Sequence, residues 1–332
     1  MNNSILINRN ILWISIIGVF LVLIAGLRSS EVSKDAMGYI SILYNLEHIQ
    51  TITIEPSFSL IAFIVNYNET YLFLVYAIFA IVIKLIAIKR ISIFPLFSIF
   101  VYISLYFILF EMTQIRVGVA IGIFLLSIKD IYERNIFNFL VKIAFATFFH
   151  YSMLITLFAF FINPKKINKS IYIILPLIAV AISIFSNKLN LIHNILNILI
   201  SIGPEFLKYK FQLISDNILL EKLGEINIFN FQYLSYIIIY YLLLIKIDLL
   251  QMKNKYTILF LKLFAIAIIS FYTLSSIPVL AFRISNIFGS VLILLLPMIL
   301  LIFKDKKMPI IILSLWLLLN FVVYGILGLL KW

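Results

Sequence analysis

Six ionisable residues stand at the ends of apolar runs or in the loops between them: Arg28, Asp35, Glu55, Arg116, His150 and Arg283. Arg116 carries the most information. It closes the sequence Glu111-Met112-Thr113-Gln114-Ile115-Arg116, between the apolar stretches 91–110 and 117–127. An arginine wedged between two membrane segments is costly to keep and marks a functional site by default. Three arginines near one membrane depth suit a lipid-linked phosphate or diphosphate, because guanidinium groups bind such oxygens bidentately and stay charged in a partly dry site. Carboxylates and a histidine beside them suit proton removal from a hydroxyl acceptor. The combination predicts group transfer from a lipid diphosphate to an alcohol, with fixed positive charge stabilising the departing diphosphate.

Each residue also has a plainer role open to it. Arg28 and Arg283 stand at helix ends, from which such side chains snorkel to lipid headgroups. Glu111 is a rival ion-pair partner for Arg116. His150, in Phe148-Phe149-His150-Tyr151-Ser152, has the surroundings of a hydrogen-bonded core histidine. Asp35 is placed to cap a helix starting at Ala36, and Glu55 to face the dipole of a helix starting at Pro56.

The elements that must position these residues follow from composition. The 332 residues are 64% hydrophobic and 12% charged, with mean hydropathy +1.15, which excludes a soluble domain and predicts an all-α polytopic integral membrane protein. The absence of cysteine excludes disulfides and thiolate metal sites. The three histidines, His48, His150 and His193, are too far apart in sequence for a histidine metal cluster, so no metal or cofactor is expected. The net charge of +12 reports membrane orientation rather than nucleic-acid binding.

Spanning segments are predicted near 11–27, 70–88, 91–110, 114–128, 136–149, 150–162, 170–186, 233–247, 256–275, 284–303 and 309–330, about 11 helices with some short or broken. The first is read as a retained helix, since Arg28-Ser29-Ser30-Glu31 follows it in place of a small-residue cleavage site. The pair 136–149 and 150–162 is too short for two ordinary crossings and predicts a hairpin or broken helix with His150 at its apex. With a cytoplasmic N-terminus, most Lys and Arg, including Lys84, fall at inner ends, and most Asp and Glu fall outside. Lys165-Lys166-Ile167-Asn168-Lys169 reaches the inner side only if 136–162 turns back on itself. The chain then forms a single transmembrane domain, 1–332, with outer loops at 28–69 and 187–232. Surface helices are expected at 36–48, from Pro56, and around Ile192, Ile195, Leu196 and Leu199, with a break at Gly203-Pro204.

In this order the motifs resemble the EpsG family of bacterial membrane proteins, which includes Wzy-type O-antigen and capsule polymerases. The resembling elements are Arg28, Asp35 and Tyr39 after the first helix; Glu55-Pro56-Ser57-Phe58; Ile115-Arg116-Val117-Gly118-Val119-Ala120-Ile121; Phe149-His150-Tyr151-Ser152-Met153-Leu154-Ile155; and Arg283-Ile284-Ser285. Val117 departs from the family's usual glutamine, and Ser57-Phe58 from its Gly-aromatic pair.

The resemblance implies a GT-C-like membrane glycosyltransferase of the bacterial inner (plasma) membrane, with its site facing the periplasm or cell exterior. It implies transfer of a growing undecaprenyl-diphosphate-linked glycan to the non-reducing-end hydroxyl of an undecaprenyl-diphosphate-linked repeat unit, inverting and metal-independent. Arg116 and Arg283, assisted by Arg28, would bind the donor diphosphate. His150 would be the base, with Glu55 or Asp35 as alternative or orienting partner, and Gln114, Tyr39 and Asn286 would support. Expected partners are the lipid-linked oligosaccharides, membrane lipids, and a chain-length regulator and flippase of the same pathway. The competing function is a flippase or exporter of lipid-linked polysaccharide, which predicts repeat symmetry and mid-membrane charges.

Overall fold

The computed structural model describes residues 2–46, 54–189, 198, 201 and 226–328, and every regular element among them is helical. Four stretches are long and apolar enough to cross a membrane: Glu69–Ile91, Pro95–Thr113, Pro278–Leu301 and Lys307–Ile326. Shorter apolar helices occupy Ile11–Gly26, Ile136–Phe149, Tyr151–Phe161, Lys169–Phe185, Phe231–Ile245 and Thr257–Thr273. With Ile115–Glu133, these helices fall on the segments predicted from hydropathy. The outer loop expected over 187–232 lies largely outside the described residues, as do its predicted surface helix and the Gly203-Pro204 break.

The chain forms two compact units. The first comprises Met1–Lys165, Leu249–Thr257 and Ser290–Trp332, and the second Lys166–Asp248 and Ile258–Gly289.

The first unit opens with α1 (Asn2–Gly26), followed by α2 (Lys34–Tyr44) and α3 (Pro56–Ile64). The surface helix expected at 36–48 thus begins earlier, because Ser33 rather than Asp35 is its cap: Ser33 Oγ accepts from the Ala36 amide at 3.2 Å. Next come α4 (Glu69–Ile91), α5 (Pro95–Tyr102), a π-helix (Ile103–Thr113) and α6 (Ile115–Glu133). Helices α4 and α6 lie together in the core, where Phe73, Tyr76, Ile81, Ile121, Phe124 and Ile128 are buried. Two glycines of α6 permit close packing, Gly122 against α4 and Gly118 against the end of the π-helix, as small residues do between membrane helices. A Cβ on Gly118 would stand 2.9 Å from the Phe110 carbonyl oxygen, and one on Gly122 3.0 Å from Ile83 Cγ2.

The short pair at 136–162 is a hairpin. Helix α7 (Ile136–Phe149) ends at His150, whose extended backbone (φ −155°, ψ 116°) turns the chain into a 3-10 helix over Tyr151–Phe161. At about 1.5 Å per residue, α7 is about 21 Å long. The tighter 3-10 winding, at about 2.0 Å per residue, stretches 11 residues to about 22 Å. The two arms therefore match in length, although both fall short of a ~30 Å hydrocarbon core. Arg134 locks the open end. It ends α6 in the left-handed region (φ 59°) and donates to the carbonyls of Phe160 and Ile162. Phe139 stacks on Phe160 between the arms.

The second unit holds α8 (Lys169–Leu189), α9 (Phe231–Ile245), most of α11 (Thr257–Thr273) and α12 (Pro278–Gly289); the short α10 (Ile247–Gln251) leads out of it. Tyr240 Oη donates to the Tyr172 carbonyl at 2.7 Å, joining α9 to α8. Ser183 and Ser275 hydroxyls meet at 2.8 Å. In the first unit the chain finishes with α13 (Leu292–Leu295), a 3-10 helix (Leu296–Leu301), and α14 (Lys307–Asn320) running into a π-turn segment (Phe321–Ile326).

Candidate functional site

The site is assembled at element ends, where side chains are not committed to helix packing. Pro56 occupies the first turn of α3, where its missing N–H costs nothing. That puts Glu55 at the capping position, yet its carboxylate makes no capping hydrogen bond. Instead one oxygen accepts from Arg116 Nη1, and the other lies 2.8 Å from His150 Nδ1. Glu55 serves these two partners rather than the α3 dipole. Arg116 is the second residue of α6, and His150 is the joint of the α7 hairpin, so one carboxylate ties three elements together.

The surrounding groups fix each member. Tyr151 Oη donates to the Ile54 carbonyl at 3.2 Å, holding the backbone beside Glu55. The Arg116 guanidinium lies over the rings of Tyr39 and Phe58, 5.1 and 5.7 Å from their centroids, a geometry that favours a cation with little water. An aromatic run from Tyr39 through Phe58 and Tyr76 to Phe149 walls this region. Ser33 Oγ, besides capping α2, donates to the Met112 carbonyl at 3.4 Å and so ties α2 to the end of the π-helix.

Burial pushes the Glu55 carboxyl upward in pKa, but the His150 hydrogen bond and the Arg116 charge together outweigh it. The group is held below its ordinary value of 4.5 and is ionised at neutral pH. An ionised carboxylate only accepts hydrogen bonds, so Nδ1 of His150 carries the ring proton. In the neutral ring, Nε2 then presents a lone pair, and Nε2 is buried with no hydrogen-bond partner among the described residues. Arg28 is a further buried cation of this unit. It donates to the Ala25 carbonyl and lies 4.2 Å from the Phe73 ring centroid, while its Nε and Nη2 are buried without partners among the described residues. Burial lowers its pKa to about 10 against the opposing influence of Tyr39 and Glu111, which leaves it charged.

The other expected site residues divide. Asp35 is exposed in the first turn of α2 and does not cap it. Gln114 forms the joint between the π-helix and α6: its amide donates to the Leu109 carbonyl, and its carbonyl accepts from Gly118, both at 2.9 Å. Arg283 and Asn286 lie on α12 of the second unit, where Ser285 between them accepts from Tyr233 Oη at 2.8 Å.

Two expectations are corrected. Glu111 does not pair with Arg116; it is bound by Lys84, and both side chains are wholly buried. Lys84, expected as an inner-end charge, is instead buried against Glu111 and also donates to the Gly118 carbonyl. Its position inside the apolar run 70–88 was the signal available in the sequence, since a charge within a membrane helix asks for a partner.

A buried carboxylate linking an arginine and a histidine at helix ends, in an apolar all-helical chain, defines a membrane protein with an ionisable site. The chain matches the EpsG family over residues 11–330 and belongs to it. This is a Wzy-like polymerase family, and membership points to a membrane polysaccharide polymerase of glycosyltransferase type. No curated protein and no solved structure matches the chain.

Proposed function

We propose that the protein is a polysaccharide polymerase that transfers a growing undecaprenyl-diphosphate-linked glycan to the non-reducing-end hydroxyl of an undecaprenyl-diphosphate-linked repeat unit, at the outer face of the bacterial inner (plasma) membrane. The observation that carries this reading is the Glu55 carboxylate, which orients His150 through Nδ1 and leaves the buried Nε2 without a partner among the described residues. In the proposed step the acceptor hydroxyl oxygen bonds to the anomeric carbon of the donor sugar. The hydroxyl proton passes to Nε2, and the bond between that carbon and the diphosphate oxygen breaks. Undecaprenyl diphosphate departs with its charge held by Arg116 and Arg28, whose N–H groups left without partners among the described residues suit phosphate oxygens. Arg283 is the third proposed diphosphate ligand, with Asn286 and Gln114 in support. Glu55 acts as the orienting partner of His150, with Asp35 as the alternative to it. Attack opposite the leaving group inverts the anomeric centre, and no step calls on a metal ion.

The test is an in vitro reaction of the purified protein, in liposomes, with a defined lipid-linked repeat unit. A ladder of products is expected, unchanged by chelator and strongly reduced for inserted Arg116→Ala and His150→Ala proteins. Undiminished ladders from both variants would end the enzymatic reading, and loss of the ladder with chelator would end the metal-independent mechanism. The orientation is tested with Asp35→Cys, which should react with an impermeant thiol reagent added outside intact cells. Labelling from the cytoplasm alone would put the site on the other face.

A further inference from the structure

A second ionic cluster lies inside the same unit, and the reaction above does not use it. Lys84 of α4 donates to Glu111, near the end of the π-helix, and to the Gly118 carbonyl in the first turn of α6. Neither charged side chain has any exposure. The Lys84 ammonium lies 5.7 Å from the ring centroids of both Tyr102 and Phe110, so aromatic faces replace water around it. Gly118 makes the contact possible: a Cβ there would stand 3.3 Å from Glu111 Oε1. Gly122 likewise leaves room for the Lys84 stem, whose Cγ would be 3.4 Å from an added Cβ.

This cluster sits two residues along α6 from Arg116. Glu111 is a carboxylate packed against the first turn of the helix that carries Arg116, and only five residues before it in sequence. Without a counter-charge, such a carboxylate competes with Glu55 for the arginine. We propose that Lys84 is a positioning residue for the transfer. It neutralises Glu111 and grips the Gly118 carbonyl, and so keeps Arg116 committed to Glu55 and to the donor diphosphate. The proposal rests on the diphosphate role of Arg116 given above.

The experiment is a mutant cycle read as KM for the lipid-linked donor, per amount of folded, liposome-inserted full-length protein. Arg116→Ala raises this KM if the diphosphate reading holds; if it does not, that reading fails, and this one with it. Lys84→Met is expected to raise donor KM about 10- to 100-fold, the scale of a misplaced binding group. Adding Arg116→Ala to it should change little further, because the arginine is already diverted. Removing the rival carboxylate in Lys84→Met/Glu111→Leu should bring donor KM back to within about threefold of the native value. Lys84→Gln, which keeps donors towards Glu111 and Gly118 but lacks the charge, carries the same test if Lys84→Met does not insert. Multiplying effects of Lys84→Met and Arg116→Ala, an unchanged KM in Lys84→Gln, or no recovery in the double variant would each overturn the proposal while leaving the Arg116 reading intact.

Discussion

Two ionic clusters within one unit differ in what they leave open. In Lys84–Glu111–Gly118 the charges are sealed, with no exposure on either side chain. In Glu55–Arg116–His150 the arginine keeps 18% and the histidine 11% of its side chain exposed. His150 Nε2 and Arg116 Nε have no hydrogen-bond partner among the described residues. Buried polar groups are nearly always satisfied, so unsatisfied ones require an explanation. The sealed cluster also leaves Glu111 Oε2 without a hydrogen bond among the described residues, but gives it no exposure, and Lys84 spends its donors on Glu111 and the Gly118 carbonyl, which suits holding. The open cluster keeps a basic nitrogen and N–H donors in reserve, which suits binding and proton transfer.

The comparison breaks first if the open cluster tolerates change. Arg116→Ala should lower the polymerisation rate by about 10³-fold, the scale of a lost electrostatic stabiliser of a leaving charge. The ladder of lipid-linked products measures it, and a loss below about tenfold would class Arg116 with structural pairs.

A smaller loss is expected from Glu55→Gln, about 10²-fold, because the amide still packs but no longer fixes the proton on Nδ1 of His150. The pH dependence has a definite sign. The folded-state pKa of Glu55 lies below its ordinary 4.5, so the stabilisation from its pairing is fully present above that value. It is lost as pH falls through the lower, folded-state pKa. Near neutrality the thermal midpoint of the native protein should therefore keep the full Glu55 contribution and not change with pH on its account, and it should drop on acidification below 4.5. Glu55→Gln should lack that part of the drop. Identical acid profiles for the two proteins would remove the ion pair from the account.

The two clusters were unequally legible in the sequence. Glu55, Arg116 and His150 each sit at a chain break signalled locally: a proline at 56, a polar joint at 114, and a short apolar pair around 150. Their roles as an interacting set depended on distant elements meeting, and the rival pairing of Arg116 with Glu111 looked equally good along the chain. The structure decides that choice: Glu111, near the end of the π-helix over Ile103–Thr113, is bound by Lys84 of a helix far away in sequence. Lys84 was obscured for another reason. Counting lysines for topology treats each as an inner-end marker, and this one is a core residue. The 3-10 arm at Tyr151–Phe161 shows the same limit, since length in residues underestimates its reach.

The sealed cluster should be the more sensitive to volume. Gly118→Ala places a methyl group 2.9 Å from the backbone oxygen of Phe110. A carbonyl inside a packed π-helix has no rotamer to adopt, so the backbones must part, at about 1–3 kcal/mol. A lowered thermal midpoint of the detergent-solubilised protein checks this, and an unchanged midpoint would show that the π-helix end is loosely packed.

Gly38→Ala is the control at the open cluster, and its expected effect is the smallest. Gly38 lies within α2, one residue before Tyr39, and an added Cβ there meets nothing within 4 Å. Helix propensity alone then applies and favours alanine by about 0.5–1 kcal/mol. The variant should keep its activity and gain slightly in thermal midpoint, because Tyr39 faces the Arg116 guanidinium from a helix whose cap and π-helix tether are untouched. A loss of activity at unchanged stability would carry a sharper meaning. It would show that the space over Gly38 is occupied when substrate is bound, which would extend the open cluster from the Glu55 carboxylate along α2 towards the acceptor.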